Sequence, residues 1–357
     1  MISCLHSRNS LSSPDPAHTH TYSHIHTLIH ATTDAESRKH SHRIHLLSWF
    51  TMSALFVTSQ LVYSLIFVAS LIGNSLVLYV IWTYLRSRSK HSSITIRCIT
   101  QLAVADLVSC LMLPFLVSAL TPTGWPFSSL ACRSFLSLSA LPQFLKAFTI
   151  SVLGVICYAL HEGSAFGITD KIVSTMIGGA WAMALVITIP IAVYANVKTG
   201  SVCNVYWPEN VSGSDAFVLI YAFCVFVLPL SVVFALGRKR NEPPFPGDDV
   251  SLVRNSIRIV FVLVSVHLVL LFPYLVGQLV LNYLKTAPGY LPAWKINFSL
   301  LSGWIWNSAC AVFPFLYYNL SDDLSEGMQH TLQSIGKLRV SYSSVATKPF
   351  FKGSQDV

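Results

Sequence analysis

The sequence predicts an all-α membrane protein: a bundle of seven transmembrane helices followed by a short amphipathic helix. Of its 357 residues, 53% are hydrophobic and only 11% are charged. A soluble domain carries about 25% charged residues, so this composition indicates an outer surface that faces lipid. Seven apolar runs have the length of about 20 residues that a spanning helix needs. They are 56–82, 94–120, 130–160, 172–194, 216–236, 257–284 and 298–320.

Each of these runs is expected to be a helix rather than a strand. The runs are continuously apolar and lack the alternation of a membrane barrel. The hydrocarbon layer offers no hydrogen-bond partners, so a spanning segment must satisfy its own backbone groups. The lipid bilayer is therefore the first partner that the sequence implies.

The net charge of +8 indicates membrane orientation rather than nucleic-acid binding. The basic residues cluster at the first and fifth connections between spans, and the even-numbered connections hold few of them. By the positive-inside rule, the odd-numbered loops are cytoplasmic and the N-terminus lies outside a multi-pass cell membrane protein. The clustered residues are Arg86, Arg88, Lys90, Arg97, Arg238, Lys239, Arg240, Arg254 and Arg258.

The two ends of the chain differ from the central domain of residues 52–320. Residues 1–51 contain the run HTHTYSHIHTLIH, which fits either a zinc-binding tract or a translated leader ahead of a start at Met52. Residues 321–336 are predicted to form an amphipathic helix on the inner membrane surface, capped by Ser321. Residues 337–357 are predicted to be a disordered cytoplasmic tail.

Two cysteines and one sequon fall on the predicted outer side. Cys132 opens the third span and Cys203 lies in the loop after the fourth, where an oxidising compartment permits a disulfide. Such a bond would hold that loop over the helix bundle. Asn210 begins an Asn-Val-Ser glycosylation sequon in the same loop.

One acidic residue and one lysine lie deep inside predicted spans, namely Asp106 in the second and Lys146 in the third. A lone charge at that depth costs at least about 2.5 kcal/mol. Two unmatched buried charges would be hard to tolerate, so we expect Asp106 and Lys146 to form a buried ion pair. The pair is interpreted either as internal scaffolding or as a locked switch.

A set of landmarks lies in order along the spans: Gly73-Asn74, 102–107, Trp125 before Cys132, Trp181, Pro190, Pro229, Pro273 and 314–317. This set resembles the rhodopsin-like, class A family of G-protein-coupled receptors. The resemblance covers residues 55–335 and implies a ligand-binding receptor with an extracellular ligand. In the family, the equivalent of Asp106 binds sodium with help from a serine of the third helix, and here Lys146 stands in place of that serine.

Four positions depart from what the resemblance implies for the intracellular switch. Cys157 replaces the arginine of the Asp-Arg-Tyr signature, and Leu271 replaces the tryptophan before the sixth-helix proline. Gly237 replaces a tyrosine of the fifth helix, and Phe313 replaces the asparagine before Pro314. These losses together predict a receptor whose G-protein coupling is doubtful, with arrestin or endocytic proteins as the remaining partners.

A closer resemblance rests on residues 101–104, 179–190, 200–203 and 225–230. These segments resemble the atypical chemokine receptors of the Duffy-antigen type, which bind chemokines without G-protein signalling. It implies chemokine scavenging or transport, with no catalytic residue, metal or cofactor. Candidate ligand-pocket residues are Trp207, Tyr274, Gln278, Trp304 and Asn307, with Tyr290 and Trp306 as further aromatic candidates.

Three alternative functions make different demands on the sequence. A conventional G-protein-coupled receptor for a peptide or small molecule would need the missing arginine to be dispensable. An intramembrane protease would need a Gly-x-Ser-Gly nucleophile with a partner histidine. The sequence has no such tetrapeptide, and His267 is the only histidine well inside a span. A transporter would usually show repeated halves. The sequence therefore predicts a receptor and not an enzyme.

Overall fold

Seven helices of the protein are long and apolar enough to cross a membrane, which confirms the predicted fold class. The computed structural model describes residues 54–85, 93–121, 123–163, 169–198, 202–208, 213–239, 242, 250–283 and 292–346. The N-terminal segment 1–51, the sequon residue Asn210 and the candidate Tyr290 lie outside these described residues.

The helices follow one another with short connections. Proline divides α2 after Met112, and a π-helical stretch interrupts α5. The helices are α1 (Ala54–Tyr84), α2 (Ser93–Leu111 and Leu113–Ala119), α3 (Ser129–His161), α4 (Asp170–Tyr194), α5 (Gly213–Ala222, Phe223–Val227 and Leu228–Lys239), α6 (Val250–Tyr283), α7 (Ala293–Leu320) and α8 (Asp322–Ala346).

Three helix boundaries differ from the prediction by five residues or more, and the first is the start of α6, which lies at Val250 rather than at residue 257. Helix α7 begins at Ala293, after Pro292 at its N-cap, rather than at residue 298, and it therefore includes the buried Lys295. Helix α8 continues to Ala346, so residues 337–346 are helical rather than disordered. Hydropathy locates the apolar part of a helix, whereas backbone signals such as a proline set its ends.

Helix α3 forms the centre of the bundle. In its apolar core, 67% of residues are buried, against 17–39% in the other six spans. It packs against α2, α4, α5 and α6. Large apolar side chains on the other helices, such as Leu65, Leu219 and Val269, point outward and are exposed. They form the face that meets lipid acyl chains.

Helices α1 and α7 approach each other at the landmark pair Gly73-Asn74. A Cβ atom added at Gly73 would lie 3.0 Å from the Pro314 ring, so only glycine fits there without displacing α7. Asn74 is fully buried, and its Nδ2 donates to the Cys310 carbonyl at 2.9 Å. The two residues therefore bring the helices together and join them by a hydrogen bond.

A two-stranded antiparallel hairpin covers the outer end of the bundle, and the sequence did not predict it. Strand β1 (Ala195–Lys198) follows α4 directly and pairs with β2 (Val202–Val205). The predicted disulfide is present between Cys132 of α3 and Cys203 of β2, with Cα atoms 5.6 Å apart. The bond fastens the hairpin to the central helix.

Helix α8 is held against the inner end of α1. The Ser321 hydroxyl accepts a hydrogen bond from the Leu324 amide at 3.4 Å, which is the predicted cap. Leu324 and Met328 are buried, while Leu332 on the same face is exposed. At Gly327, an added Cβ atom would lie 2.6 Å from the Val80 side chain, so the small residue permits close packing.

We expect Gly154→Ala to destabilise the bundle. An added Cβ atom would fall on Cγ1 of Val232, where α3 meets α5. Overpacking of this kind costs about 1–3 kcal/mol, which thermal denaturation of the purified protein would report as a lower Tm.

The matched control is Gly178→Ala, because an added Cβ atom there meets no atom within 4 Å. It should leave Tm unchanged or slightly higher. The double variant Gly154→Ala with Val232→Ala should recover most of the loss. Equal Tm values for Gly154→Ala and Gly178→Ala would contradict the close packing of Gly154 against Val232.

Candidate ligand cavity and buried ion pair

A cavity of about 370 Å³ opens at the outer end of the bundle. Side chains of α2, α3, α5, α6 and α7 line it, and residues 203–205 of the disulfide-fastened β2 form part of its rim. The volume falls within the range of about 300–1,000 Å³ that is typical of small-ligand pockets. The hairpin thus leaves access to the cavity while covering part of it.

The cavity wall is largely apolar and aromatic, with a few polar groups. The rings of Tyr274 and Trp306 stack with centroids 6.0 Å apart. The Tyr221 hydroxyl donates to Oε1 of Gln143. The Nε2 of Gln278 is buried and has no hydrogen-bond partner among the described residues. Such scattered polar groups on an apolar wall fix the orientation of a bound ligand.

One member of the ion pair reaches the floor of the cavity. Lys146 of α3 lines the cavity, and its Nζ lies 3.0 Å from Oδ1 of Asp106 of α2. The Lys146 side chain is 5% exposed and that of Asp106 is fully buried. The Lys146 ammonium also lies 5.3 Å from the Trp306 ring centroid, within the distance of a cation–π contact. Each charge thus compensates the other where few other polar groups are near.

The residues around Asp106 do not fit the sodium ion that the family resemblance implies. The Lys146 ammonium occupies one carboxylate oxygen and brings a positive charge to the position where a cation would bind. In the family pattern, side chains of the seventh helix help to bind the ion. Here those positions are Ala309, Cys310 and Phe313, which are buried and apolar or weakly polar. A hard cation such as sodium requires oxygen ligands, which these three side chains do not provide.

The structure brings together three of the five predicted pocket residues. Tyr274, Gln278 and Asn307 line the cavity, together with Trp306. Trp207 instead packs between Tyr194 and Phe217, with ring centroids 5.6 and 5.5 Å apart and the rings tilted.

Trp304 also lies away from the cavity lining. It packs in the cluster with Tyr63 and Ile66, between α1 and α7. Hydropathy does not specify how a helix is rotated about its axis, so the sequence could not separate Trp304 from Trp306.

Three cavity residues on α3 were missed as pocket residues. Ser139, Gln143 and Lys146 follow one another at spacings of four and three residues, so they lie on one face of a helix. This polar stripe in an otherwise apolar span is the signal that could have identified them. His267, by contrast, is buried, and its Nε2 lies 3.2 Å from the Val225 carbonyl in the bundle core.

Three of the four positions that depart from the family switch lie in the inner half, and Leu271 lies in the outer half of α6 (Val250–Tyr283). Cys157 and Phe313 are buried in one apolar cluster, with Leu263 and Leu236, and Leu271 is buried in a second cluster. Gly237 is exposed at the inner end of α5. Three of these replacements therefore contribute apolar packing where the family pattern has polar or aromatic groups.

Charged groups line the inner end between α3, α5 and α6. The Nζ of Lys239 lies 2.8 Å from Oε1 of Glu162 and 2.6 Å from Oε2 of Glu242. The hydrogen bond from Lys239 lowers the pKa of the Glu162 carboxyl. Beside it lies a cavity of about 340 Å³ that is also lined by Arg254 and Arg258. The inner end thus presents a cleft with several basic groups.

Comparison with known proteins is consistent with this architecture. The sequence model of the seven-transmembrane receptors of the rhodopsin family matches residues 73–317. Somatostatin receptor type 4 of Rattus norvegicus is 32% identical over 79% of this chain and 74% of its own length. Somatostatin receptor type 2 of Mus musculus is 27% identical over 76% of both chains. Somatostatin receptor type 3 of Homo sapiens is 29% identical over 77% of this chain and 68% of its own.

These relatives overturn the predicted chemokine function. The chain is similar to somatostatin receptors over most of its length, and not to the atypical chemokine receptors of the Duffy-antigen type. The prediction of a chemokine scavenger without G-protein coupling is therefore wrong. The segments behind it are each twelve residues or shorter, against the 298 residues over which the type 4 receptor is aligned. The coarser prediction, a membrane receptor that is not an enzyme, is confirmed.

We expect Lys146→Met to destabilise the protein much more than neutralising both charges. The single variant leaves Asp106 buried without its partner, which costs about 3–5 kcal/mol. The double variant Asp106→Asn with Lys146→Met removes both charges and should recover most of the Tm. A single variant as stable as the unmodified protein would show that Asp106 does not depend on Lys146.

We also expect the stability of the unmodified protein to be independent of sodium. Its Tm should be the same in sodium chloride and in N-methyl-D-glucamine chloride, because Lys146 already neutralises Asp106. Lys146→Ser frees the carboxylate, so its Tm should rise in sodium. Lys198→Ser, which removes a lysine from the outer hairpin, is the control and should stay insensitive. A sodium-dependent Tm in the unmodified protein would contradict the conclusion that the residues around Asp106 do not fit a sodium ion.

Proposed function

The chain belongs to the rhodopsin family of seven-transmembrane receptors, and on that basis we propose that it is a cell-surface receptor for an extracellular peptide that signals through a G protein. The observation that carries the proposal is 32% identity to a somatostatin receptor across 79% of the chain. A somatostatin-like peptide is the ligand that this similarity favours.

The outer half of the molecule has the features that such a ligand requires. The cavity of about 370 Å³ admits one or two side chains of a peptide, and the β1–β2 hairpin supplies backbone groups at its rim. We propose that Tyr274, Gln278, Trp306 and Asn307 contact the inserted part of the ligand. Trp207 and Trp304 then act as packing residues. Glycosylation at Asn210 would decorate the same outer loop.

The inner half supports contact with a cytoplasmic partner. The cleft between α3, α5 and α6 is lined by His161, Lys239, Arg254 and Arg258. We propose that these basic groups form the docking surface of the G protein. Arg254 and Arg258 would supply the positive charge that the arginine at position 157 gives in the family pattern.

The proposal is tested in cells that express the full chain and a G-protein dissociation sensor. Somatostatin is applied first, followed by a panel of secreted peptides. Tyr274→Ala should weaken the response to the active peptide by about tenfold or more, because it removes an aromatic contact in the cavity. Tyr283→Ala is the matched control on the same helix, since its hydroxyl donates to Asp215 outside the cavity at 2.7 Å.

The control variant should respond within about twofold of the unmodified receptor, as expected for a substitution away from the contact surface. An equal loss of G-protein response in both tyrosine variants would contradict the proposal that the ligand binds in the cavity. No G-protein response to somatostatin or to any peptide of the panel, with the receptor present at the cell surface, would reject the proposed function itself.

A further inference from the structure

The ion pair has a fixed orientation with respect to the outer cavity. Lys146 is among the residues that line the cavity, and Asp106 is not. The carboxylate lies behind the ammonium, with Oδ1 3.0 Å from Nζ. The pair is therefore a buried dipole whose positive end faces the position of the ligand. In a site of low dielectric, such a dipole attracts an electron-rich group more strongly than it would in water.

The Lys146 ammonium also has unused hydrogen-bonding capacity. An ammonium group has three N–H donors. Among the described residues, Nζ makes one hydrogen bond, to Asp106, and lies over the face of Trp306. The amide nitrogen of Gln278, which lines the same cavity, is buried without a partner there. Donors on α3 and α6 are thus available to an acceptor that enters the cavity.

The remaining lining residues give the cavity a clear charge preference. In the described part of the chain, Lys146 is the one Asp, Glu, Lys, Arg or His residue that lines it. A cationic ligand group would find no carboxylate on the wall and would meet the ammonium at the floor. A carboxylate would meet the ammonium beside the ring of Trp306, which stacks on Tyr274, and the free amide donor of Gln278 lies on the wall of the same cavity.

We propose that Lys146 receives a carboxylate of the extracellular ligand, either an acidic side chain or a free C-terminus beside an apolar residue. Asp106 keeps its hydrogen bond and holds the ammonium in place, while the spare N–H donors of Lys146 bind the ligand. This inference rests on the proposed function, because a ligand must enter the outer cavity, and it adds the charge of the inserted group.

The test uses three probes that share one aromatic group and differ in charge. They are N-acetyl-L-tryptophan, which has a carboxylate, its neutral amide N-acetyl-L-tryptophanamide, and the cationic tryptamine. Their binding to the purified full-length receptor in lipid nanodiscs is measured by the ligand-dependent rise in Tm. The carboxylate should bind about tenfold more tightly than the amide, as expected for one charge-assisted hydrogen bond, and tryptamine should bind most weakly.

Two variants separate recognition by Lys146 from general effects on folding. Asp106→Asn with Lys146→Met removes the dipole without leaving a single buried charge and should bind the acid and the amide equally. Gln278→Leu leaves the ion pair intact and should reduce the preference for the acid. Lys198→Met is the control, because Lys198 lies over the Tyr206 ring on the hairpin and does not line the cavity. It should keep the full preference.

Each outcome decides the proposal. Equal binding of acid and amide to the unmodified receptor would overturn it, as would a preference that persists in the double variant. If the double variant does not fold, the probe ranking and Gln278→Leu still decide. A G-protein response to peptides without an acid preference would reject this inference and keep the proposed function. An acid preference without a G-protein response to any peptide would support this inference and reject the proposed function.

Discussion

The ion pair between Asp106 and Lys146 is the interaction on which the interior of this receptor depends. Asp106 is fully buried and the Lys146 side chain is only 5% exposed, at the cavity wall, so each charge is tolerated because the other lies 3.0 Å away. That requirement sets the rotation of α2 and α3 about their axes, since both side chains must point at one place. It also places a positive charge at the floor of the outer cavity. One electrostatic constraint thereby links the packing of the central helix to the chemistry available to a ligand.

Most of the fold could be predicted because the membrane imposes simple rules on sequence. Length and hydropathy locate the seven spans, and the basic loops give their orientation. The same rules do not describe the polar outer surface, where the β1–β2 hairpin forms from four-residue strands without a distinctive apolar pattern. They also do not locate helix ends. Helix α7 begins after Pro292 and buries Lys295, which hydropathy had placed outside.

The candidate site was predicted in part, and the reason is geometric. The ion pair could be predicted because charged residues are rare deep inside the spans, and two buried charges of opposite sign require each other as partners. The cavity could be predicted only in its general position, because a pocket between helices depends on which face each helix presents. Trp304 and Trp306 are two residues apart on α7, yet only Trp306 lines the cavity. Periodicity along α3, with Ser139, Gln143 and Lys146 on one face, is the kind of signal that resolves helix rotation.

The four altered switch positions explain why departures from a family pattern can mislead. Cys157, Leu271 and Phe313 are buried in apolar clusters, so they leave few buried polar groups in need of partners. A bundle can accept such replacements at little cost in stability, whatever it binds outside. Cys157 and Phe313 describe how the inner half is packed, and Leu271 describes the packing of α6 beside Trp306, whereas a ligand contacts the outer cavity. The ion pair joins α2 to α3 beside the outer cavity, so it belongs to the part of the molecule that a ligand reaches.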